Sequence, residues 1–479
     1  MNIKKVDVAI VGAGSAGLSA RREVELRGRD YVLIERGPFG TTCARVGCMP
    51  SKLLIAAADA AHEVHQAGMF GVRVPEGVTV DGRAVMDRVR RERDRFVGFV
   101  LESTDKLEEG KVLRGQAKFL DNTTLQVDDH TRVEAKTVIL GTGSSPWIPD
   151  ALNDVQDRVM VNDDVFDLED LPKSIVVFGT GIIGVELGQA LHRLGVRVDF
   201  VNPFDAVGPL SDPKVKAKAE EVFGNELRLH LGVSQLRVEP AGDGVRVWFE
   251  DRHGEPFEAT YERALAAAGR RPNLSQLNLE AAGISLGEHG RPVGWNPRTT
   301  QIGDSRVFMA GDMTGHRPLL HEAADEGRIA GANAAMWPEV RAHIRRTPLA
   351  VMFSDPQIAT VGTPFRQLHE DDIVIGEVSY DDQGRARVMG KNKGLVRIYA
   401  RKEDGALVGA EMFGPRVEHT AHLLAWAISE RMTVERALRM PFYHPVIEEG
   451  IRTALRSASY QMNLIPKPCA HDLDCGPGA

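Results

Sequence analysis

Two segments of the chain share one pattern, in which an apolar run is followed by G-x-G-x-x-G and then by a helix-forming stretch. The glycines are Gly12, Gly14 and Gly17 in VAIVGAGSAGLSA, and Gly179, Gly181 and Gly184 in VVFGTGIIGVELG. The first glycine permits a tight turn, the second lets a pyrophosphate approach, and the third lets the helix pack on the strand. This duplication predicts two dinucleotide-binding βαβ units in one chain.

The residue that ends the second strand differs between the two units. Gly12 and Glu35 are 23 residues apart, and so are Gly179 and Asn202. An acid at this position hydrogen-bonds a ribose hydroxyl, whereas an NADP site is expected to carry an arginine for the extra phosphate. The second unit has Asn202 and no arginine until well downstream, which favours NAD, while Arg197 leaves NADP open.

Cys43 and Cys48 lie in GTTCARVGCMPSK, shortly after the first unit. In an ideal helix the Cα atoms of residues i and i+5 are about 8.6 Å apart, and a disulfide needs less than about 7 Å. A bridge therefore requires a bend, which Gly47 permits. A zinc site and an inert thiol pair are the alternatives. A redox pair is favoured, because a thiolate in the first turn of a helix is stabilised by the helix dipole.

Two further patterns are candidates for a site. Asp312, in AGDMTG after a predicted strand, is either a helix-capping aspartate or a contact to a flavin chain. His444 and Glu449 occur in FYHPVIEEG, where Pro445 predicts the start of a helix and places Glu449 one turn on. A histidine held by a carboxylate is the usual base for a thiol, and an ordinary surface histidine is the alternative.

Length, charge and cysteine usage narrow the class of protein. The 479 residues predict about three domains. The net charge of −8 argues against nucleic acid or an anionic membrane as the main partner. Asp7 interrupts a stretch that otherwise resembles a signal peptide, and no run reaches the roughly 18 apolar residues of a membrane span. The four cysteines form two close pairs, the second being Cys469 and Cys475, which indicates a reducing compartment and hence a cytoplasmic location.

As a set, these motifs resemble those of the pyridine nucleotide-disulfide oxidoreductases, and within them the dihydrolipoyl dehydrogenases. The motifs GAGSAG, GTTCARVGCMPSKLL, TGSSPWIP, GTGIIGVELG, GRRPN, AGDMTG and HPVIEE occur in the family's order over residues 5–465. The joint presence of these motifs is more specific than any one of them alone.

The resemblance implies an α/β fold with two Rossmann-type dinucleotide-binding domains and a C-terminal α+β dimerisation domain. The implied divisions are an FAD-binding domain over 1–150, an NAD-binding domain over 151–270, a central domain completing the FAD site over 271–346, an interface domain over 347–465, and an irregular tail over 466–479. A homodimer is expected, with no metal as cofactor.

The resemblance also implies roles for individual residues. Cys48 would lie against the flavin and Cys43 would exchange with the substrate, while Lys52 and Glu186 match a pair near flavin and nicotinamide. His444 would act as base across the dimer, oriented by Glu449. The implied cofactor contacts are Gly12, Gly14, Gly17, Glu35, Lys52, Gly115, Thr142, Gly143, Ser144, Gly179, Gly181, Gly184, Asn202, Gly269, Gly311 and Asp312.

The implied reaction moves electrons between NAD(H) and a dithiol such as dihydrolipoamide, free or protein-bound, through FAD and a Cys43–Cys48 disulfide. Two departures leave an alternative. Phe442 stands where dihydrolipoyl dehydrogenases commonly have a second histidine, and the tail carries Cys469 and Cys475. Tail pairs carry electrons outward in mercuric reductase and the larger thioredoxin reductases, so reduction of another disulfide or of mercuric ion is the alternative.

The sequence leaves two other interpretations open. The tail cysteines are either such a relay or incidental thiols on an irregular end, and His471, Asp472 and Asp474 offer a weaker metal-ligand hypothesis. A flavoprotein that binds nucleotides without turnover is a third function. The presence of Cys43, Cys48 and His444 argues against it.

Overall fold

The computed structural model describes residues 2–75 and 77–464. The tail pair Cys469 and Cys475 therefore lies outside the described residues. The chain divides into two compact units. The first consists of the segments up to Leu53, Asp87–Trp147 and Gly269–Arg345, and the second of Leu54–Met86, Ile148–Ala268 and the chain from Arg346 onward.

Strands occur along the whole described part of the chain. They are β1 (Asn2–Val11), β2 (Tyr31–Glu35), β3 (Val112–Arg114), β4 (Ala117–Phe119), β5 (Thr124–Val127), β6 (Thr131–Leu140), β7 (Ser144–Pro146), β8 (Val159–Met160), β9 (Ser174–Phe178), β10 (Arg197–Asn202), β11 (Arg228–Leu231), β12 (Ser234–Ala241), β13 (Gly244–Glu250), β14 (Pro256–Tyr261), β15 (Arg263–Ala266), β16 (Arg270–Pro272), β17 (Val307–Met309), β18 (Leu349–Met352), β19 (Gln357–Gly362), β20 (Ile373–Ser379), β21 (Leu395–Arg401) and β22 (Leu407–Gly414).

Helices connect these strands. They are α1 (Ser15–Leu26), α2 (Thr42–Val46), α3 (Cys48–Gln66), α4 (Gly82–Asp105), α5 (Asn162–Val165), α6 (Ile182–Arg193), α7 (Pro213–Gly224), α8 (Leu320–Met336), α9 (Gly384–Val388), α10 (Val417–Ser429), α11 (Val434–Leu438) and α12 (Glu449–Gln461). Short 3₁₀ helices cover Ala67–Phe70, Asp150–Arg158, Leu279–Ala282, Glu288–Gly290, Asp312–Thr314, Phe365–Gln367 and Glu370–Asp372.

The first unit is built on a sheet whose strand order is β3-β2-β1-β6-β5-β4, with β17 also pairing with β6. β1 is parallel to β2 and β6, and β6 is parallel to β17. β1 is buried on both faces because Val8 and Ile10 pack into one apolar cluster and Ala9 and Val11 into another. A parallel strand buried in this way reads as a continuous apolar run, which is the pattern seen in the sequence.

Helices α1 and α8 pack closely within the first unit because small residues line their contact. A Cβ atom added at Gly327 would lie 2.2 Å from the carbonyl oxygen of Ala16, and one at Gly331 would lie 2.4 Å from that of Ala20. The alanine- and glycine-rich composition of α8 thus follows from the approach of its backbone to α1.

The second unit contains the other predicted βαβ element and a separate antiparallel sheet. The parallel sheet has the order β11-β10-β9-β15-β8, and the antiparallel sheet has the order β18-β19-β22-β21-β20. α12 packs on β20, where a Cβ atom at Gly376 would lie 2.1 Å from the carbonyl oxygen of Ala454. The α/β class and the C-terminal α+β domain implied by the sequence are thereby confirmed.

Among the described residues, the helices lack the combined length and apolar character that crossing a membrane requires.

Candidate active site

The turn between β1 and α1 has the geometry of a phosphate cradle. A Cβ atom at Gly12 would lie 2.3 Å from the carbonyl oxygen of Gly141, and one at Gly17 would lie 1.8 Å from that of Gly12. Around Gly14, in contrast, the described residues leave the space within 4 Å of an added Cβ atom open. Gly12 and Gly17 are thus required by the fold itself, while Gly14 leaves room at the N-terminus of α1, where backbone N–H groups favour an anion.

The turn between β9 and α6 repeats this arrangement in the second unit. A Cβ atom at Gly179 would lie 2.5 Å from the carbonyl oxygen of Ala267, and one at Gly184 would lie 2.1 Å from that of Gly179. A Cβ atom at Gly181 meets no atom of the described chain within 4 Å. Both turns therefore fit a bound pyrophosphate in the way that the glycine spacing predicted.

Glu35 and Asn202 end the second strands of the two units but hold different partners. The Glu35 carboxylate accepts hydrogen bonds from the backbone N–H groups of Ala13, at 2.7 Å, and Gly37, at 2.8 Å. It thereby ties the glycine turn to the end of β2. The buried Asn202 amide donates to the Thr180 hydroxyl at 2.6 Å and accepts from the N–H of Phe204 at 3.1 Å. Asn202 thus fixes the loop that follows β10.

The remaining predicted cofactor contacts of the first unit lie on segments around its own turn between β1 and α1. Gly115 follows β3 and donates its N–H to the Glu35 carbonyl oxygen at 3.0 Å. The antiparallel pair β7–β16 sets Ser144 opposite Pro272, and the Trp147 N–H beyond β7 donates to the Gly269 carbonyl oxygen at 3.0 Å. The Ser144 hydroxyl donates to Asp312 Oδ2 at 3.2 Å. Asp312 itself follows Gly311, whose φ of +83° is a conformation that favours glycine.

Two residues of GRRPN that were not among the predicted contacts complete this cluster. Arg270 Nε donates to the Ser144 hydroxyl at 2.9 Å, and its Nη2 donates to the Ser144 carbonyl oxygen at 2.7 Å. Asn273 donates to the Thr142 carbonyl oxygen at 3.0 Å, and the Thr142 hydroxyl donates to the Asn273 carbonyl oxygen at 2.7 Å. The signal was present, because Arg270 directly follows Gly269 in that motif and Asn273 ends it.

The chain bends between the two cysteines. Cys43 lies in α2, Cys48 is the first residue of α3, and Gly47 separates the helices with φ −131° and ψ −118°. A Cβ atom at Gly47 would lie 3.0 Å from the Thr42 carbonyl oxygen and 3.2 Å from Cys43 Cα. The bend predicted at Gly47 is thus present, and glycine allows the backbone to return close to Cys43.

The two sulfurs interact directly, and no disulfide joins them in this structure. A hydrogen bond with the Cys48 thiol and then burial raise the pKa of the Cys43 thiol, while the Cys48 N–H and the Lys52 ammonium lower it. The net direction is upward, so Cys43 holds its proton more tightly than an exposed thiol does. Forming a thiolate at Cys43 therefore calls for a base.

Glu186 lies on α6 in the second unit, where 4 % of its surface is exposed. Its Oε1 accepts the backbone N–H of Phe353 at 2.8 Å. It lines a cavity of about 220 Å³ together with Gln189 and Arg193 of the same helix. Lys52 lies in the first unit, so the predicted pairing of Lys52 with Glu186 stays a prediction.

His444 and Glu449 meet within the second unit. His444 Nδ1 lies 3.1 Å from Glu449 Oε2 and 3.2 Å from Oε1. The histidine side chain is 44 % exposed and the glutamate side chain 13 %. A carboxylate on Nδ1 selects the tautomer in which Nε2 is the proton acceptor. The pair therefore has the arrangement of an oriented general base.

The prediction that a helix begins at Pro445 is wrong. α12 begins at Glu449, and the residues before it form turns. The Glu449 carboxylate also accepts the Val446 N–H at 3.2 Å. The turns that precede α12 therefore bring His444 back to the Glu449 carboxylate. The two residues do not lie on one helix.

Comparison with known sequences identifies the class to which this fold and site belong. Residues 6–327 match the family described as pyridine nucleotide-disulphide oxidoreductase, and residues 349–455 match the dimerisation domain of that family. The chain belongs to this family, whose members bind FAD and NAD(P), and it is a flavoprotein disulfide oxidoreductase with a dimerisation domain.

Individual relatives cover nearly the whole chain. A dihydrolipoyl dehydrogenase of Halobacterium salinarum is 31% identical over 94% of this chain and 96% of its own length. A mercuric reductase of Streptomyces lividans is 29% identical over 97% of this chain and 98% of its own length. Among solved structures, the HOCl-induced flavoprotein disulfide reductase RclA from Escherichia coli aligns with a TM-score of 0.78 over 96% of this chain and 100% of its own, at 20% identity. That structural likeness shows the shared fold.

Gly14 and Gly181 allow the two cofactor sites to be tested separately. Gly14→Ala should leave the apoprotein folded, because the space around the added methyl group is open, yet weaken FAD binding about tenfold or more by occupying the phosphate cradle. Gly181→Ala should keep FAD and raise the KM for the pyridine nucleotide. Flavin absorbance of the purified variants and steady-state kinetics measure both. Full FAD content in Gly14→Ala would contradict the assignment of the first cradle.

Proposed function

We propose that this chain is an FAD-dependent oxidoreductase that moves electrons between NAD(H) and a small or protein-bound dithiol such as dihydrolipoamide, through a disulfide between Cys43 and Cys48. The observation that carries this proposal is the bend at Gly47, which sets the two sulfurs in direct interaction at the start of α3. A dithiol that approaches such a pair can be oxidised by two successive exchange steps.

The thiol steps follow from the chemistry of the named side chains. A substrate thiol gives its proton to His444 Nε2 of the partner subunit, and the resulting thiolate attacks the Cys43 sulfur of a disulfide. A mixed disulfide forms and Cys48 leaves as a thiolate. The second substrate thiol then displaces Cys43, giving its proton to the departing Cys43 sulfur, and closes the oxidised substrate. When held at the glycine turn of the first unit, FAD would supply the two-electron redox chemistry that links the cysteine pair to NAD⁺.

Charge placement at the second nucleotide site supports NAD over NADP. Asn202 is neutral and its amide is already engaged by Thr180 and Phe204. Arg197 begins β10, about 16 Å from Asn202 along an extended strand. Its guanidinium stacks over the Tyr261 ring, 4.8 Å from the centroid. A higher kcat/KM with NADH than with NADPH is the expected result.

An anaerobic titration tests the proposed route. Adding NADH to the purified yellow protein should produce a long-wavelength absorbance band from a cysteine thiolate beside the flavin. Dihydrolipoamide, glutathione disulfide and mercuric ion are then assayed separately to identify the substrate. Bleaching of the flavin with no such band, and no turnover of any disulfide or dithiol, would reject the proposal.

A reductase of another disulfide or of mercuric ion is the second candidate. The cysteine pair Cys469 and Cys475 favours it, as do relatives named mercuric reductase. If the tail relays electrons, replacing both cysteines by serine should abolish turnover of mercuric ion or a bulky disulfide, because the outward path is lost. Reduction of the flavin by NADH should be unchanged and serves as the control. Turnover equal to that of the unmodified enzyme would remove the relay.

A further inference from the structure

A cluster of buried charges lies beside the turn that presents Asp312. Three carboxylates on α8 surround the guanidinium of Arg345. Arg345 Nη1 lies 3.0 Å from Glu326 Oε1, its Nη2 contacts Glu322, and its Nε lies 3.3 Å from Asp325. The Arg345 side chain is 11 % exposed, and those of the three acids are 1–3 % exposed. All four residues belong to the first unit.

The cluster connects to the cofactor turn through a single carboxylate. Glu326 Oε2 accepts the backbone N–H of Gly311 at 2.8 Å. Gly311 holds φ +83°, and the next residue, Asp312, receives the Ser144 hydroxyl. One oxygen of Glu326 therefore pairs with Arg345, while the other fixes the orientation of the peptide that precedes Asp312.

Other side chains at this site make different contacts. Arg317 lies 3.4 Å from Glu322, and Arg328 lies 3.1 Å from Asp325. Both are at the rim, with side chains 30 % and 41 % exposed. Neither ion pair involves Glu326. The pairing of Glu326 with Arg345 is thus the contact in the cluster that leads directly to Gly311.

We infer that Arg345 is a positioning residue for the flavin chain, holding Glu326 charged so that it fixes the Gly311 peptide and, through it, Asp312. The inference rests on FAD binding, which the family supplies, and not on the identity of the substrate. A carboxylate accepts a stronger hydrogen bond from an N–H group than a neutral acid does. Loss of the Arg345 charge should therefore loosen the turn.

The pH dependence of FAD retention distinguishes an effect on the charge of Glu326 from a purely structural effect of Arg345. Burial raises the pKa of Glu326, while the Gly311 N–H and Arg345 lower it and Glu322 raises it. Without Arg345 the pKa of Glu326 rises further. Glu326 is then charged only above that higher pKa and becomes neutral as the pH falls through it. FAD retention should become pH-dependent in the variant, with weaker binding at the acid side.

The experiment measures FAD release from the holoenzyme after dilution, by flavin fluorescence, at pH 6 and at pH 8.5. Arg345→Met should release FAD about tenfold to a hundredfold faster than the unmodified enzyme at pH 6, because a charged hydrogen bond is lost, and less so at pH 8.5. Arg345→Lys should recover much of the difference. Arg328→Met is the matched control in the same cluster and should release FAD at the unmodified rate at both pH values.

A double variant separates positioning from general stability. In Arg345→Met with Glu326→Gln the charge at position 326 is absent and the amide oxygen can still accept the Gly311 N–H, so FAD release should slow again and lose its pH dependence. The double variant also tests the inference if Arg345→Met alone does not fold. FAD release unchanged in Arg345→Met, equally fast release in Arg328→Met, or no recovery in the double variant would overturn the inference. Because FAD release is measured without substrate, a failure here is distinct from a failure of the dithiol chemistry.

Discussion

Replacing Cys43 by serine should lower NAD⁺-linked oxidation of a dithiol at least about a thousandfold, because a hydroxyl can neither form the mixed disulfide nor complete the disulfide with Cys48. The substitution is close to isosteric, and Cys43 is only partly buried in α2. The flavin should stay bound, since neither glycine turn is touched. Activity with a saturating dithiol and with NAD⁺ measures the loss.

A control reaction shows whether the loss is specific to sulfur chemistry. Electron transfer from NADH to an artificial one-electron acceptor needs the two nucleotide sites but no thiol exchange, so Cys43→Ser should retain it. Dithiol turnover within a few-fold of the unmodified enzyme would show that the sulfur pair is not on the electron path.

Replacing His444 by glutamine should reduce dithiol turnover by about 10²–10⁴-fold, the usual contribution of a general base. Glutamine keeps the volume but has no titratable nitrogen. Glu449→Gln should cause a smaller loss, since the base remains but the partner of Nδ1 is altered. Reduction of the flavin by NADH involves no substrate thiol and should proceed normally in both variants. Normal dithiol turnover in His444→Gln would remove His444 from the mechanism.

Mixed dimers test whether this base acts between subunits. Both homodimeric variants, Cys43→Ser and His444→Gln, should be inactive. In a heterodimer of the two, one site combines an intact Cys43 with His444 of the partner subunit, so about half of the activity should return if the base acts across the dimer. If His444 served its own subunit, both sites of the heterodimer would be dead. A heterodimer without activity would therefore contradict the proposal that His444 of one subunit serves Cys43 of the other.

Local patterns in the sequence predicted much of the fold. The glycine spacing placed both turns, and the structure shows why, because Gly12 and Gly17 meet backbone oxygens while Gly14 faces open space. The distance argument for the cysteines required a bend at Gly47, and the helix breaks there. These predictions succeeded because each depends on residues close together in the chain.

Contacts between distant segments could not be predicted in this way. Arg345 and Glu326 are 19 residues apart and belong to no motif, and only the fold places them beside Gly311. The start of α12 was predicted four residues too early, because the Glu449 carboxylate binds back to Val446 and His444. These contacts hold the residues after Pro445 in turns, so the preference of proline for the first position of a helix does not decide where α12 begins.

The central claim is that the Cys43–Cys48 pair stores electrons alongside FAD, and an anaerobic reductive titration with dithionite tests it most directly. The unmodified enzyme should take up one electron pair for the disulfide and a second for the flavin before the flavin is fully bleached. Cys43→Ser should take up only the flavin's pair. Equal uptake by the two proteins would contradict the claim.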